Sequence, residues 1–524
     1  MYMDLAIKLG MLLIFFGVMI YVGFYCRRHA TDVNGFVLGG RSVGPWLTAF
    51  AYGTSYFSAV VFVGYAGQFG WKYGIASTWI GIANAFLGSL LAWAVLGRRT
   101  RVMTQHLKSN TMPQFFESRF DSKTLKIAAS VVIFIFLIPY TASLYNGLSR
   151  LFEMAFHVDY AICVAVMAVL TAVYVIAGGY MATAVNDFIQ GIIMLIGIVA
   201  IILAVLRGQG GFTASLAKLA AVEDPTVSST PGVFNSFFGP DPVNLLGVMI
   251  LTSLGTWGLP QMVQKFYAIK SEKAITKGMI VSTFFACVVA GGCYFLGGFG
   301  RLFSDVIGVT EAGTPVGGFD AVIPAMLNTL SPFLIAVVIV LVLSASMSTL
   351  SSLVLTSSST LTLDFLKPFR KKEMDEKQQL KIMRVLIAVF IAISAVIAIF
   401  QYHSGSAFIA QMMGVSWGAL AGAFLAPFLY GLYWKRATKA GCAASFLFST
   451  VVMILNIAVR SSFPPILQSP INAGAFCMLA GMVIVPLVSL ITRAPEKKKI
   501  EQIFSCYTRL VTVPAKESIG DEEA

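Results

Sequence analysis

Charge is what this sequence lacks. Only 12% of its 524 residues are Asp, Glu, Lys or Arg, and 57% are hydrophobic. Soluble domains carry about 25% charge, so the composition excludes a soluble protein, and no stretch reads as a separate globular domain. Histidine is scarce: His29, His106, His157 and His403 stand far apart, mostly near the ends of apolar runs, and form no ligand motif. Cys26, Cys163, Cys287, Cys293, Cys442, Cys477 and Cys506 are an odd, scattered set, which argues against a disulfide framework or a metal site. There is no nucleophile–base pair, metal motif or phosphate loop, so no enzyme is expected. The formal net charge of +13 might point to nucleic acid in another protein. Here it follows topology, and no nucleic-acid partner is expected.

What is present is apolar length. A spanning helix needs about 20 apolar residues. Thirteen spans are expected, near 5–25, 45–68, 75–97, 126–153, 159–177, 183–206, 243–268, 276–299, 324–362, 381–401, 407–433, 438–459 and 470–492. The first is too long for a signal-peptide core and reads as a retained span. The run 324–362 is too long for one straight crossing. The loops 26–44, 98–126, 177–183, 265–277, 363–384, 434–439 and the tail from 493 fall on one side. They hold 30 of the 37 Lys and Arg residues. Positive loops stay cytoplasmic, so the N-terminus is expected outside and the C-terminus inside a cytoplasmic membrane. The segment Lys367–Glu373 and the tail read as solvated; anchoring topology is the plainer role for their charge, and contact with anionic lipid the other. The external loops 207–242 and 300–323 are expected to hold short helices or turns.

Two spans are interrupted. Gly44 to Gly70 has the soft polar middle Gly53, Thr54, Ser55 and Ser58. The span 243–268 contains Gly255-Thr-Trp-Gly-Leu-Pro260. Irregular backbone in a membrane is tolerated only where it lines a cavity or is buried in protein, and paired broken spans point to a transporter's binding site. Small hydroxyl residues also serve plain helix packing. Each interruption opens a block of five spans. Five is odd, so the blocks run in opposite senses, as inverted repeats do. The expected organisation is a leading helix and loop (1–43), a first five-helix repeat (44–206), an external loop (207–242), a second repeat (243–433), two trailing helices (434–492) and a tail (493–524).

Three sets of residues could carry chemistry. Asp187 is the acidic exception inside a span. An ionisable group there costs roughly 2.5–3.5 kcal/mol and is by default a functional candidate, although a helix cap would also use one. Ala345, Ser348 and Thr349 stand at i, i+3 and i+4 and share one helix face. A carbonyl and two hydroxyls there offer the oxygen ligands that hard cations want, with packing as the plainer alternative. Tyr56, Tyr140 and Trp257 look too deep for interfacial anchors. They suit an aromatic pocket for a small organic solute, with Pro139 and Pro260 marking local breaks.

The motifs Gly-Gly-Arg-Ser-Val-Gly-Pro (39–45), Ser-Arg-Leu-Phe-Glu (149–153), Gly-Gly-Tyr-Met-Ala-Thr-Ala-Val-Asn-Asp-Phe-Ile-Gln-Gly (178–191), Met-Ser-Thr-Leu-Ser-Ser (347–352) and Gly-Leu-Tyr-Trp-Lys-Arg-Ala (431–437) resemble the sodium:solute symporter family from about residue 10 to 490. The resemblance implies an all-α membrane protein of the leucine-transporter type: two inverted five-helix repeats, one leading helix and two trailing ones. It implies sodium as coupling ion, held by Thr54 and Phe57 (backbone oxygens), Ala345 (carbonyl), Ser348 and Thr349 (hydroxyls). Asp187 matches the acidic residue on the sodium exit path. The solute is expected beside Ser55, Tyr56, Ser58, Tyr140, Gly255, Trp257 and Pro260. Within the family, Tyr140 matches a proline-carrier residue. Proline carriers have aspartate in place of Tyr56 and tryptophan in place of Val60. Other stretches look more like pantothenate carriers, so the resemblance leaves the solute open between the two. No counterpart of the sialic-acid carriers' arginine stands in 126–153.

The expected function is sodium-coupled import of a small organic solute, a carboxylate such as pantothenate or a proline-type amino acid. Its partners are the solute, sodium and membrane lipid, with the chain a monomer or weak homo-oligomer. The alternatives are a solute-binding sensor, a uniporter without sodium coupling, and a proton-coupled symporter.

Overall fold

The computed structural model describes residues 2–156, 158–370, 374–404 and 409–508. His157, residues 371–373 of the basic segment, the first residues of the 407–433 span and tail residues 509–524 therefore lie outside the described residues. Among the described residues the chain is helical, with isolated bridges (Val43 with Ile269, Asp224 with Ser228, Val309 with Pro315) in place of strands.

The long helices are α1 (Tyr2–Tyr25), α2 (Pro45–Tyr56), the run Val60–His106, α3 (Lys123–Phe156), α4 (Tyr160–Gly208), α5 (Pro242–Gly258), α6 (Pro260–Ala268), α7 (Lys273–Gly297), α8 (Pro332–Thr360), α9 (Glu376–Ser404), α10 (Ile409–Tyr433), α11 (Lys439–Ala458) and α12 (Pro470–Ile491). Proline opens α2, α5, α6, α8 and α12, where its missing N–H costs nothing. Among the described residues, ten helices are long and apolar enough to cross a membrane, eleven with the bent pair α5–α6.

Two of the ten are 47 and 49 residues long, which is about 70 Å each at helical rise, twice a bilayer's apolar thickness. Each turns back at a glycine. Gly74 has φ 59°, ψ −140° and Gly179 has φ 56°, ψ −146°, a region open essentially to glycine alone. Around Gly74, Gly53 packs on Phe285 and Gly70 on Gly297. The chain then returns, with Ser77 bonded to the Tyr294 carbonyl and Ser89 to Ser282. Around Gly179, Tyr174 lies against Gly23 and Gln190 reaches the Met19 sulfur at 3.2 Å. A straight helix would place residues 174 and 190 about 24 Å apart, whereas 19 and 23 are about 6 Å apart. Divided at these turns, and with the bent pair α5–α6 taken as one, the described residues give thirteen segments, the number that hydropathy predicts.

One expected span moves. The run 324–362 is a short helix Val322–Leu327, a turn, and then α8, which continues through a wider-wound stretch to Phe369. Pro332 sets the start because the preceding Ser331 is extended. The loops 207–242 and 300–323 hold the short helices Phe212–Ala220 and Ser304–Ile307 together with turns. They are joined by Arg301, whose Nη1 is 2.8 Å from Asp224 Oδ2 and whose guanidinium lies over the Phe234 and Trp71 rings. Cys26, Cys163, Cys287, Cys293, Cys442 and Cys477 are free thiols.

Candidate functional site

The first break follows Tyr56. Phe57 is extended (φ −91°, ψ 124°), so the last carbonyls of α2 lose their helical partners. Two of them turn to α8. The Thr54 carbonyl accepts from Ser348 Oγ (3.0 Å) and Thr349 Oγ1 (3.2 Å), and the Phe57 carbonyl accepts from Thr349 Oγ1 (3.3 Å). The same hydroxyls lie 3.0 and 3.1 Å from the Ala345 carbonyl. All five residues are fully buried. Oxygens at right angles around a calcium-sized ion at about 2.4 Å stand about 3.4 Å apart, close to the spacing here. The five uncharged oxygens thus have the composition and spacing that suit one hard monovalent cation.

The second break is its counterpart. Leu259 is extended (φ −75°, ψ 124°), and α5 and α6 meet at 45°. Directly after it, Gln261 is buried with both side-chain amide atoms unpartnered.

Beside the first break lies an aromatic cluster. The Trp417 ring on α10 sits 6.1 Å from Tyr56 and 5.9 Å from Tyr140. Tyr56 OH, Ser58 Oγ, Tyr140 OH and Trp417 Nε1 are all buried and none makes a well-formed hydrogen bond, with the Tyr140 hydroxyl facing Ser58 and Trp417. Gly255 belongs here too: a Cβ at that position would come within 2.5 Å of the Trp417 ring. Trp257 does not join. Its indole N–H donates to the Leu87 carbonyl at 2.9 Å, so it faces the helix on the other side of α5. Pro260 starts α6 and shapes the second break. Ser55 turns to α8, with Oγ 2.8 Å from Ser352 Oγ.

Asp187 lies two turns past the reversal at Gly179, with no exposed surface and with neither carboxylate oxygen hydrogen-bonded. Its ion partner is Lys265 on α6, with Nζ 3.8 Å from Oδ2. The hydropathy reading counts Lys265 among the positive-loop residues of 265–277. The structure corrects this: Lys265 is 2% exposed, inside the bundle. Its ammonium donates to Ser352 Oγ at 3.0 Å and lies over the Tyr180 ring.

The model of the sodium:solute symporter family matches residues 36–448. The chain belongs to this family. It is a membrane transporter, not an enzyme. It is 29% identical over 495 residues to a sodium/proline symporter of Staphylococcus aureus (strain JH9), covering 93% of this chain and 92% of that one. It is 26% identical over 506 residues to the osmoregulated proline transporter OpuE of Bacillus subtilis, covering 95% and 96%. Among solved structures it resembles the substrate-bound outward-open state of a Na+-coupled sialic acid symporter, with TM-score 0.72 and 18% identity over 94% of this chain and 99% of that one. The fold is the leucine-transporter type, two inverted five-helix repeats with one leading and two trailing helices.

In this symporter the space beside the first break is small. A cavity lined by Tyr52, Gly53, Tyr56, Asn84, Thr256 and Ser282 measures about 10 Å³, room for about one water. Larger clefts of about 450 and 440 Å³ lie at opposite ends of the bundle. The first runs past Gln68, Lys72 and Asp241, the second past Asn34, Lys108 and Lys126, and neither touches Tyr140 or Ser348.

The residues missed by sequence reasoning are Lys265, Ser352, Gln261 and Trp417. Lys265 carried a usable signal, a charge within α6 close to Met262, Val263, Phe266 and Tyr267, but it sits near the end of an apolar run where loops begin. Trp417 carried none, because a tryptophan in an apolar helix reads as core.

Proposed function

We propose that this symporter couples the inward movement of one sodium ion to that of a small organic solute bearing a carboxylate, with a proline-type amino acid first among the candidates. The observation that carries this reading is the juxtaposition of five uncharged oxygens from Thr54, Phe57, Ala345, Ser348 and Thr349 with the unpaired Tyr56–Ser58–Tyr140–Trp417 cluster. Sodium is taken up by the oxygen cluster and fixes the first break. The solute enters between the two breaks, where its polar groups satisfy the four unpaired atoms. The start of α6 beside Gln261 offers the partial positive charge of a helix N-terminus to a carboxylate. The names of the relatives favour proline over pantothenate.

In this reading residues 44–206 and 243–433 are the two repeats, and rocking between them exposes the centre to one face and then the other. The Lys/Arg bias supports an N-terminus outside and a C-terminus in the cytoplasm. Sodium leaves past Asp187. An inside-negative potential contributes about 2.3 kcal/mol per charge per 100 mV, enough to concentrate a neutral solute roughly 50-fold with one sodium per turnover. The test is uptake of labelled L-proline and, separately, pantothenate by proteoliposomes with and without a sodium gradient. Acceleration of one solute by sodium is expected. Uptake indifferent to sodium but driven by a pH gradient would replace this reading with proton coupling.

A further inference from the structure

Asp187 and Lys265 form a buried pair that the sodium site alone does not explain. Asp187 has no hydrogen-bond partner and no exposed surface. A carboxylate in that state needs a cation or a proton. The nearest cation is part of the chain. Lys265 Nζ stands 3.8 Å from Asp187 Oδ2 and 3.0 Å from Ser352 Oγ, and the Ser352 hydroxyl is 2.8 Å from Ser55 Oγ. Ser55 follows Thr54, whose carbonyl belongs to the oxygen cluster. One ammonium therefore ties together α6, α4, α8 and the end of α2. It joins the second half of one broken span to the break of the other.

We infer that Lys265 is the resident counter-cation of Asp187, that its ammonium holds the place a second metal ion would otherwise take, and that the chain therefore binds a single sodium. This rests on the assignment of sodium to the Thr54–Ser348 cluster. The acidic group by itself would make an attractive second cation site: a buried anion, with the Ser352 hydroxyl within reach of the same ammonium. A tethered ammonium fills it at high effective concentration and repels a further cation nearby. The link through Ser352 and Ser55 also positions the first break, so Lys265 is a positioning residue for the sodium site rather than a ligand of it.

The test counts sodium. Binding of ²²Na⁺ alone, with no organic solute, is measured at saturation on the purified full-length chain in a choline buffer. One ion per chain is expected for the wild type. Lys265→Met leaves Asp187 without its cation, so two ions per chain are expected and the Hill coefficient should move from 1 toward 2. Lys265→Met combined with Asp187→Asn removes both charges and should return the count to one. One ion per chain in a folded Lys265→Met protein, or two in the wild type, overturns the inference. Should Lys265→Met not fold, the wild-type count and the uncharged double variant still decide it: two ions in either is the overturning result. No sodium bound by the wild type would instead overturn the sodium assignment beneath it, so the two failures are distinguishable.

Discussion

The two polar clusters at the first break differ in one respect. On the α8 side, both hydroxyls are spent: Ser348 and Thr349 donate into the carbonyls of Thr54, Phe57 and Ala345. On the α10 side, Tyr56, Ser58, Tyr140 and Trp417 keep four polar atoms buried without a well-formed hydrogen bond. A buried polar group left unsatisfied costs up to about 1–3 kcal/mol, so the second cluster has more to gain from a bound partner than the first. Under the proposed function, the contrast teaches how one break would serve two ligands. The oxygens proposed for the ion are held in place before it arrives. The groups proposed for the organic molecule would gain their bonds from the ligand.

That difference can be broken most sharply on the satisfied side. Ser348→Ala with Thr349→Ala removes two ligands of a charged guest, each worth about 1.5–3 kcal/mol. The sodium concentration for half-maximal uptake should rise more than about tenfold, read from uptake against sodium in proteoliposomes. An unchanged value would sink the assignment of the ion to this cluster.

On the unsatisfied side the signs should split. Tyr140→Phe removes a hydroxyl that makes no well-formed hydrogen bond within the protein, so thermal stability should change little. The same change removes a bond made only to the solute, and the solute KM should rise about 5–10-fold for a loss of about 1–1.5 kcal/mol. Half-saturation by sodium should stay put. A drop in stability with no change in KM would show the hydroxyl to be structural.

A control lies away from both clusters, at the Arg301–Asp224 pair between the loops 207–242 and 300–323. Burial pushes the Asp224 carboxyl up, but hydrogen bonds from Thr226 and Arg301 and the guanidinium charge outweigh it, so the group is held below the usual carboxylate range. Its folded value thus lies below its unfolded one. The stability it contributes is present at neutral pH and is lost as pH falls through the carboxylate range. Arg301→Gln should lower the unfolding temperature at pH 7, by roughly 1 kcal/mol of stability, and the deficit should shrink in acid. Neither half-saturation constant should follow it.

The smallest effect is expected at Trp257, whose indole bonds to Leu87 rather than facing the aromatic cluster. Trp257→Phe should change the solute KM less than about twofold, measured in the same assay. A change as large as that of Tyr140→Phe would return Trp257 to the solute pocket.

How much of this was legible beforehand differs by residue. Thr54, Phe57, Ala345, Ser348 and Thr349 were readable because helical spacing put three of them on one face and a run of small residues marked the break. That the two sets meet across 288 and more residues of chain was implied by family resemblance, and the hydrogen bonds between them are seen only in the folded chain. Tyr140 was readable and its partner Trp417 was not, since nothing local separates a pocket tryptophan from a core one.

Apolar run length and the placement of Lys and Arg determined the thirteen passes, because bilayer thickness fixes how long a helix must be. Small residues and proline determined where two of those passes break. Only the tertiary structure decided that Lys265 is inside rather than in a loop, that it stands beside Asp187, and that Trp257 faces away while Trp417 faces in. These are questions of which side chains meet across distant helices, and the local chemistry of a single helix does not encode its neighbour.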